Sequence, residues 1–244
     1  MNTAPLFPPG DPNRRAVILG KTYLNPSGYN GWDGDCPGCD IDAGKARDWC
    51  HRNGITVSAF LLNRDATVYR FVSEVQSAAA GLSAGGLLFI FDSGHGGQVP
   101  DTNGDEASGM ADTLCMYDRP MVDDEVGAML DSLPQDLRVF MVSDTCNSGT
   151  SFRNGPPVVR RPVSIRGLAS NSIQIVHFAA CADGQSAIGG AMGGVWTHVL
   201  DVFLKPGITY RDWFTAAQAH MPPSQIPVLA TEPFEAFAGM EALK

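Results

Sequence analysis

GLLFIFDSGHGG, residues 86–97, joins an apolar run to a polar, glycine-rich turn with no spacer between them. The run Gly86–Phe91 is apolar throughout, the pattern of a parallel strand covered on both faces. RVFMVSDTCNSG, residues 138–149, repeats the arrangement. There the strand-like Arg138–Ser143 leads straight into Asp144-Thr145-Cys146-Asn147-Ser148-Gly149. Two buried strands, one ending at a histidine and one at a cysteine, point to an open α/β sheet. In such sheets ligands collect beyond the carboxyl ends of the strands.

Short apolar runs and helical patterns alternate on either side of these segments. Residues 16–20 (AVILG), 56–62 (TVSAFLL), 173–180 and 226–230 read as strands. Residues 42–53, 65–80, 123–133, 195–204 and 210–220 read as helices, with Asp42 and Asp65 as N-caps and Gly54 just past the first helix. The alternation predicts a mostly parallel sheet flanked by helices on both faces. Residues 1–13 form a Pro-rich lead. Residues 14–244 are expected to be one domain: a larger part to about 150, an irregular basic loop at 151–171, and a smaller part at 172–244.

The composition narrows the function. A chain of 244 residues with 44% hydrophobic and 18% charged residues is an ordinary globular protein, not a disordered one. Its net charge of −9 and lack of Lys/Arg blocks argue against nucleic acid or an anionic membrane as partner. The N-terminal residues carry no apolar signal segment, and the longest apolar run, Leu87–Phe91, is too short to span a bilayer. A cytoplasmic monomer with free thiols is therefore expected.

Cys146 and His95 stand just beyond two strands, where a thiol and an imidazole can share a proton if the strands are neighbours. The histidine would lower the thiol pKa and supply a proton to a leaving amine. The backbone N–H groups of Gly96 and Cys146 would form an oxyanion hole. Taken singly, each residue also has a plain structural reading: a buried cysteine as a small hydrophobe, a histidine as part of a glycine turn.

FDSGHG (91–96) and DTCNSGT (144–150) resemble the His and Cys motifs of metacaspases and of their prokaryotic relatives, the orthocaspases. GCDIDA (38–43), AACADGQ (179–185) and QIPVL (225–229) are similar to further segments of that family, in the same order. The resemblance implies a caspase-like (caspase–haemoglobinase) fold and a Cys–His dyad that hydrolyses peptide bonds after Arg or Lys, with no required cofactor. The pocket for the basic residue maps onto Cys39, Asp42, Ser93 and Asp144. Two carboxylates, Asp42 and Asp144, agree with a preference for a cationic side chain; helix capping is the plain alternative for Asp42. Calcium activation in the family corresponds to Asp112, Asp123 and Asp124. Arg153 stands where a fourth acid is expected, and a guanidinium would repel the ion. The 151–171 loop offers Arg160, Arg161 and Arg166 as sites of self-cleavage. The substrates are expected to be proteins or peptides with a basic residue before the scissile bond. The alternative is a catalytically silent caspase-like binding or scaffold module.

Two motifs fit other chemistry poorly. Cys36-Pro37-Gly38-Cys39 has the C-x-x-C spacing of redox and zinc sites. A thioredoxin-like site belongs on a turn from strand to helix, whereas here a long Gly/Asn loop precedes the motif. Zinc would need two more ligands. Cys39 is expected in the pocket, and Cys36 is expected to be incidental. Asp101–Asp105 begins like an EF-hand loop, but Glu106 occupies the position that demands glycine.

Overall fold

The computed structural model describes residues 10–104, 109–147, 173–181, 185–232 and 236–244, and for Cys146, Asn147 and Glu232 it describes the backbone. In chain order the larger part comprises β1 (Asp11–Gly20), α1 (Cys39–Asn53), β2 (Ile55–Leu62), α2 (Val68–Ala80), β3 (Leu87–Pro100), β4 (Met110–Cys115), β5 (Pro120–Val122), α3 (Asp123–Asp131) and β6 (Arg138–Asn147). The smaller part follows with β7 (Gln174–Ala179), the two-residue strands β8 (Gly189–Gly190) and β9 (Gly193–Gly194), α4 (Val195–Phe203), α5 (Tyr210–Gln218) and β10 (Val228–Glu232).

The central sheet has the order β10-β7-β6-β3-β1-β2. Every pairing from β7 to β2 is parallel, and β10 closes the edge antiparallel. The alternation along each strand explains why helices cover both faces. Leu87, Phe89 and Phe91 of β3 and Phe140 and Val142 of β6 pack with Trp49 of α1, Trp196 of α4 and Trp213 of α5. Leu88, Ile90, Val139 and Met141 face the other way, onto Phe71 and Val75 of α2 and Met129 and Leu130 of α3. The mostly parallel α/β sheet read from the sequence is thus the one observed. Among the described residues no helix is long and apolar enough to cross a membrane.

The local readings differ at several ends. β3 and β6 do not stop at Phe91 and Ser143 but run on to Pro100 and Asn147. Their polar tails stay extended because ladder hydrogen bonds, not apolar burial, hold them. β6 pairs β3 as far as Gly96↔Asn147, and β4 pairs β3 from Gly96 onward. The segment 96–121 therefore contains β4 and β5. β1 begins at Asp11 rather than Ala16. α1 begins at Cys39 with Gly38 (φ 92°) as its cap, so Asp42 lies inside the first turn and is not the cap. α2 is capped by Thr67, whose hydroxyl accepts from the Arg70 N–H at 3.2 Å, while Asp65 sits in a preceding 3-10 turn.

Phe140 is the hub of the aromatic layer, stacked on Phe89 (centroids 5.2 Å apart) and tilted against Tyr210 (4.6 Å). Phe140→Ala is expected to lower the unfolding free energy by about 3–5 kcal/mol in urea titration. Tyr69→Ser, at a side chain 81% exposed, should change it by less than about 0.5 kcal/mol.

Candidate active site

The register between β3 and β6 decides which residues meet. It pairs Ser93 with Asp144, Gly94 with Thr145, and His95 with Cys146. Adjacent strands lie about 4.8 Å apart, so the two residues expected to exchange a proton are direct neighbours across the ladder. Gly96 follows as the register partner of Asn147.

His95 is half-buried and gripped on one side by the segment before α1. Its Nε2 lies 3.2 Å from the carbonyl oxygen of Asp35, and the Trp32 ring leans over it with centroids 4.8 Å apart. Nε2 then carries the proton that is donated to Asp35, which leaves Nδ1 as the basic nitrogen of the neutral ring. Nδ1 is shielded from solvent and has no hydrogen-bond partner among the described residues. Burial disfavours the charged ring, but Cys36 and the Asp35 carbonyl outweigh it and hold the pKa above the ordinary histidine value.

Beneath this segment lies a buried ion pair. Lys21, the residue after β1, is 0% exposed and donates to the carboxylate of Asp92. Its backbone N–H also donates to the Ser93 carbonyl at 2.9 Å. The lysine stem passes directly under Gly94, where an added Cβ would come within 2.7 Å of its Cε. Glycine at that position is what lets β3 lie flat over the ammonium.

On the opposite face of the sheet, Asp42 and Asp144 line a cavity of about 210 Å³ together with Cys36, Cys39 and Ser93. Asp144 is 5% exposed, and its Oδ2 accepts from the backbone N–H (2.9 Å) and the hydroxyl (2.6 Å) of Thr197. Burial first, and the neighbouring Asp42 charge second, push its pKa up to about 7 against those two bonds. Asp42 Oδ2 accepts from the Ser93 hydroxyl (3.0 Å) and the Gly194 N–H (2.8 Å), and burial raises its pKa too. Its Oδ1 has no hydrogen bond among the described residues, with Lys45 Nζ 3.6 Å away. The β8–β9 hairpin presses against both acids. A Cβ at Gly194 would collide with the Asp144 carboxylate, and one at Gly193 (φ 97°) with that of Asp42.

Residues 14–154 match the family model described as metacaspase, peptidase C14 domain. The chain belongs to the metacaspase family. Metacaspase-1 of Mycosarcoma maydis is 30% identical over 152 residues, a match covering 57% of this chain and 36% of that one. Metacaspase-3 of Arabidopsis thaliana is 31% identical over 199 residues, covering 71% and 53%. The chain thus spans about a third to a half of the length of these relatives. A crystal structure of a Geobacter sulfurreducens protein superposes with a TM-score of 0.80 at 29% identity, over 95% of this chain and 98% of that one. Caspase-1 of Spodoptera frugiperda superposes at 0.59 and 14% identity, over 94% and 91%, which shows the caspase-like fold.

For a metacaspase, the sequence motifs land as a set: Cys39, Asp42, Ser93, His95 and Asp144 all line one cavity, and Cys146 is the register partner of His95. Of the acids expected for calcium, Asp112 and Asp123 each adjoin the Thr113–Val122 pair of the β4–β5 ladder. Asp112 accepts from the Gln98 amide (2.7 Å), and Asp124 accepts from Asn103 (2.6 Å). Among the described residues no three His, Cys, Asp or Glu side chains are grouped to hold a metal. No step below uses a metal ion. Arg153, Arg160, Arg161 and Arg166 lie outside the described residues.

Several site residues escaped the sequence reading. Lys21 carried a usable signal, a lysine directly after a buried strand. Asp35, Trp32 and Thr197 carried none. Cys36 is not incidental: its sulfur is 2.8 Å from that of Cys39, beside His95.

Removing the Lys21 ammonium strands a buried carboxylate. Lys21→Met is expected to cost about 3–5 kcal/mol of stability in urea titration. The double variant Lys21→Met/Asp92→Leu should recover most of that loss, because no uncompensated charge remains.

Proposed function

We propose that the protein is a cysteine endopeptidase that hydrolyses peptide bonds after Arg or Lys, with Cys146 as nucleophile and His95 as acid–base. The observation that carries this reading is the β3–β6 register, which sets His95 beside Cys146 and, two positions earlier, Ser93 beside Asp144. The proposed base, nucleophile and one acid of the pocket, Asp144, thereby fall within one strand pair, and Asp42 joins them from α1.

The Cys146 thiolate attacks the scissile carbonyl carbon, and the carbonyl electrons move onto oxygen. The N–H groups of Gly96 and Cys146 receive that oxyanion. Collapse of the tetrahedral species breaks the C–N bond while the His95 imidazolium gives its proton to the departing amine. A water, deprotonated by the now neutral His95, then hydrolyses the thioester and returns the thiol. The Asp35 carbonyl and the Trp32 ring hold the imidazole through both proton transfers. No cofactor is required by these steps.

Specificity comes from the cavity floor. A guanidinium or ammonium entering it would meet the Asp144 carboxylate and the unbonded Oδ1 of Asp42, and their mutual repulsion would be relieved. An acidic side chain would add a third negative charge. The same preference makes Arg160, Arg161 and Arg166 sites of self-cleavage, and proteins with exposed basic segments the substrates.

Two measurements test the reading. A fluorogenic Arg peptide should be cleaved by the wild type and at least about a thousandfold more slowly by Cys146→Ala; equal rates in the two proteins would overturn the assignment. Benzamidine, an arginine-like cation, should bind Cys146→Ala with a pH dependence set by the cavity. The Asp144 pKa lies near 7 because burial and Asp42 favour its neutral form, so the anion that attracts the ligand is lost as pH falls. Affinity in calorimetry should drop about tenfold per unit below that point, with proton release on binding. Asp144→Asn should bind weakly and flatten the profile; an unaltered profile would remove Asp144 from the pocket.

A further inference from the structure

The start of α1 changes the reading of Cys36-Pro37-Gly38-Cys39. With a helix beginning at Asp42, both cysteines would lie in a loop. The helix begins at Cys39, so the motif sits on its N-terminus, with Cys39 as the first helical residue and Cys36 just before it. This is the placement in which a C-x-x-C pair gains a reactive outer thiol and a shielded inner one. The observed burial follows the same division: Cys36 is half-buried and Cys39 is 4% exposed.

The two sulfurs are 2.8 Å apart, with the Cys39 thiol donating to Cys36. That bond first, then the nearby His95 and Lys21 charges, hold the Cys36 pKa well below the ordinary thiol value and favour its thiolate. Cys39 is shifted in the opposite direction by the Cys36 sulfur and by burial. Both line the cavity that holds Asp42 and Asp144. Among the described residues no group of three or more His, Cys, Asp or Glu side chains is placed to hold a metal.

We propose that Cys36 and Cys39 are a redox-active dithiol that exchanges with low-molecular-weight disulfides and closes to an intramolecular disulfide inside the carboxylate-lined cavity. The Cys36 thiolate attacks one sulfur of a disulfide RSSR, forming Cys36–S–S–R and expelling RS⁻. Cys39 gives up its proton and attacks the Cys36 sulfur, expelling a second RS⁻. Two cysteine sulfurs are oxidised and one RSSR is reduced; one released RS⁻ takes the Cys39 proton, and the other takes from solvent the proton that Cys36 lost on ionising. Closure removes the Cys36 thiolate that favours the His95 cation and ties the segment carrying Asp35 to the first turn of α1.

The test needs no peptidase activity, so its outcome is independent of the function proposed above. Wild type and Cys146→Ala are equilibrated at neutral pH in mixtures of glutathione and glutathione disulfide, quenched in acid, alkylated and digested with trypsin. Lys21 and Lys45 bound a peptide, residues 22–45, that contains Cys36 and Cys39 and no other cysteine. As the mixture becomes more oxidising, that peptide should convert to a form lighter than the dithiol by two hydrogens, free of alkyl and glutathione groups, and dithiothreitol should reverse the change. Cys39→Ser should stop one step earlier, with a single glutathione on Cys36. Three results would overturn the proposal: both cysteines alkylated at every ratio, a persistent glutathione adduct in the wild type, or Cys36 joined to a different cysteine.

Discussion

The parallel pairing of β3 with β6 is the constraint on which the rest of the molecule depends. Side chains alternate along a strand, so one register serves the core and the site together. Phe89 and Phe91 of β3 continue on the same face to Ser93, and Phe140 and Val142 of β6 continue to Asp144. Leu88 and Ile90 continue on the other face to Asp92, beneath which Lys21 lies. A slip of one residue would send the aromatic layer to the wrong helices and dissolve the carboxylate cavity at once. The large apolar burial of the strand centres therefore fixes the polar tails. The sheet needs no additional device to align residues 93–96 with 144–147.

Those tails concentrate charge where proteins ordinarily avoid it. Lys21 and Asp92 neutralise one another on one face, whereas Asp42 and Asp144 on the other are two like charges opposed by the part-exposed Lys45, which pairs with Asp42 at 3.6 Å. The protein tolerates the second arrangement by surrounding it with donors: Thr197 twice, Ser93 once, and the Gly194 backbone. Only a glycine hairpin approaches closely enough to supply the last of these, since side chains at 193 and 194 would occupy the space of the carboxylates. Asp42 Oδ1 is left with an ion pair to Lys45 at 3.6 Å and no hydrogen bond among the described residues, and the Asp144 pKa stays raised.

The sheet, its flanking helices and, of the cavity lining, Cys39, Asp42, Ser93, His95 and Asp144 were legible because each was written in local patterns: uninterrupted apolar runs, and short motifs beside them. What was not legible depended on hydrogen bonding between distant segments. DSGHGG looks like a turn by composition, yet β6 on one side and β4 on the other keep it extended. Asp42 looks like a helix cap, yet its carboxylate is taken by Ser93, fifty-one residues on, and by Gly194. Trp32, Asp35 and Cys36 reach His95 across some sixty residues through the fold of a Gly/Asn-rich segment, which no periodicity announces.

That segment has a chemical consequence. An imidazole that donates to a carbonyl and lies tilted against an indole favours the thiolate of a neighbouring cysteine when it carries its second proton. Cys36 is such a thiol, and its neighbour Cys39 strengthens the effect by donating a hydrogen bond that only the anion can fully use. A second thiolate beside the base competes with a nucleophile for the same proton, so the ionisation of Cys36 and the reactivity at His95 are thermodynamically linked. Any event that removes the Cys36 charge lowers the affinity of His95 for its proton by the same coupling free energy. The electrostatics that suit this site to thiol chemistry thus bind its reactivity to the state of the C-x-x-C pair, whichever thiol the substrate meets first.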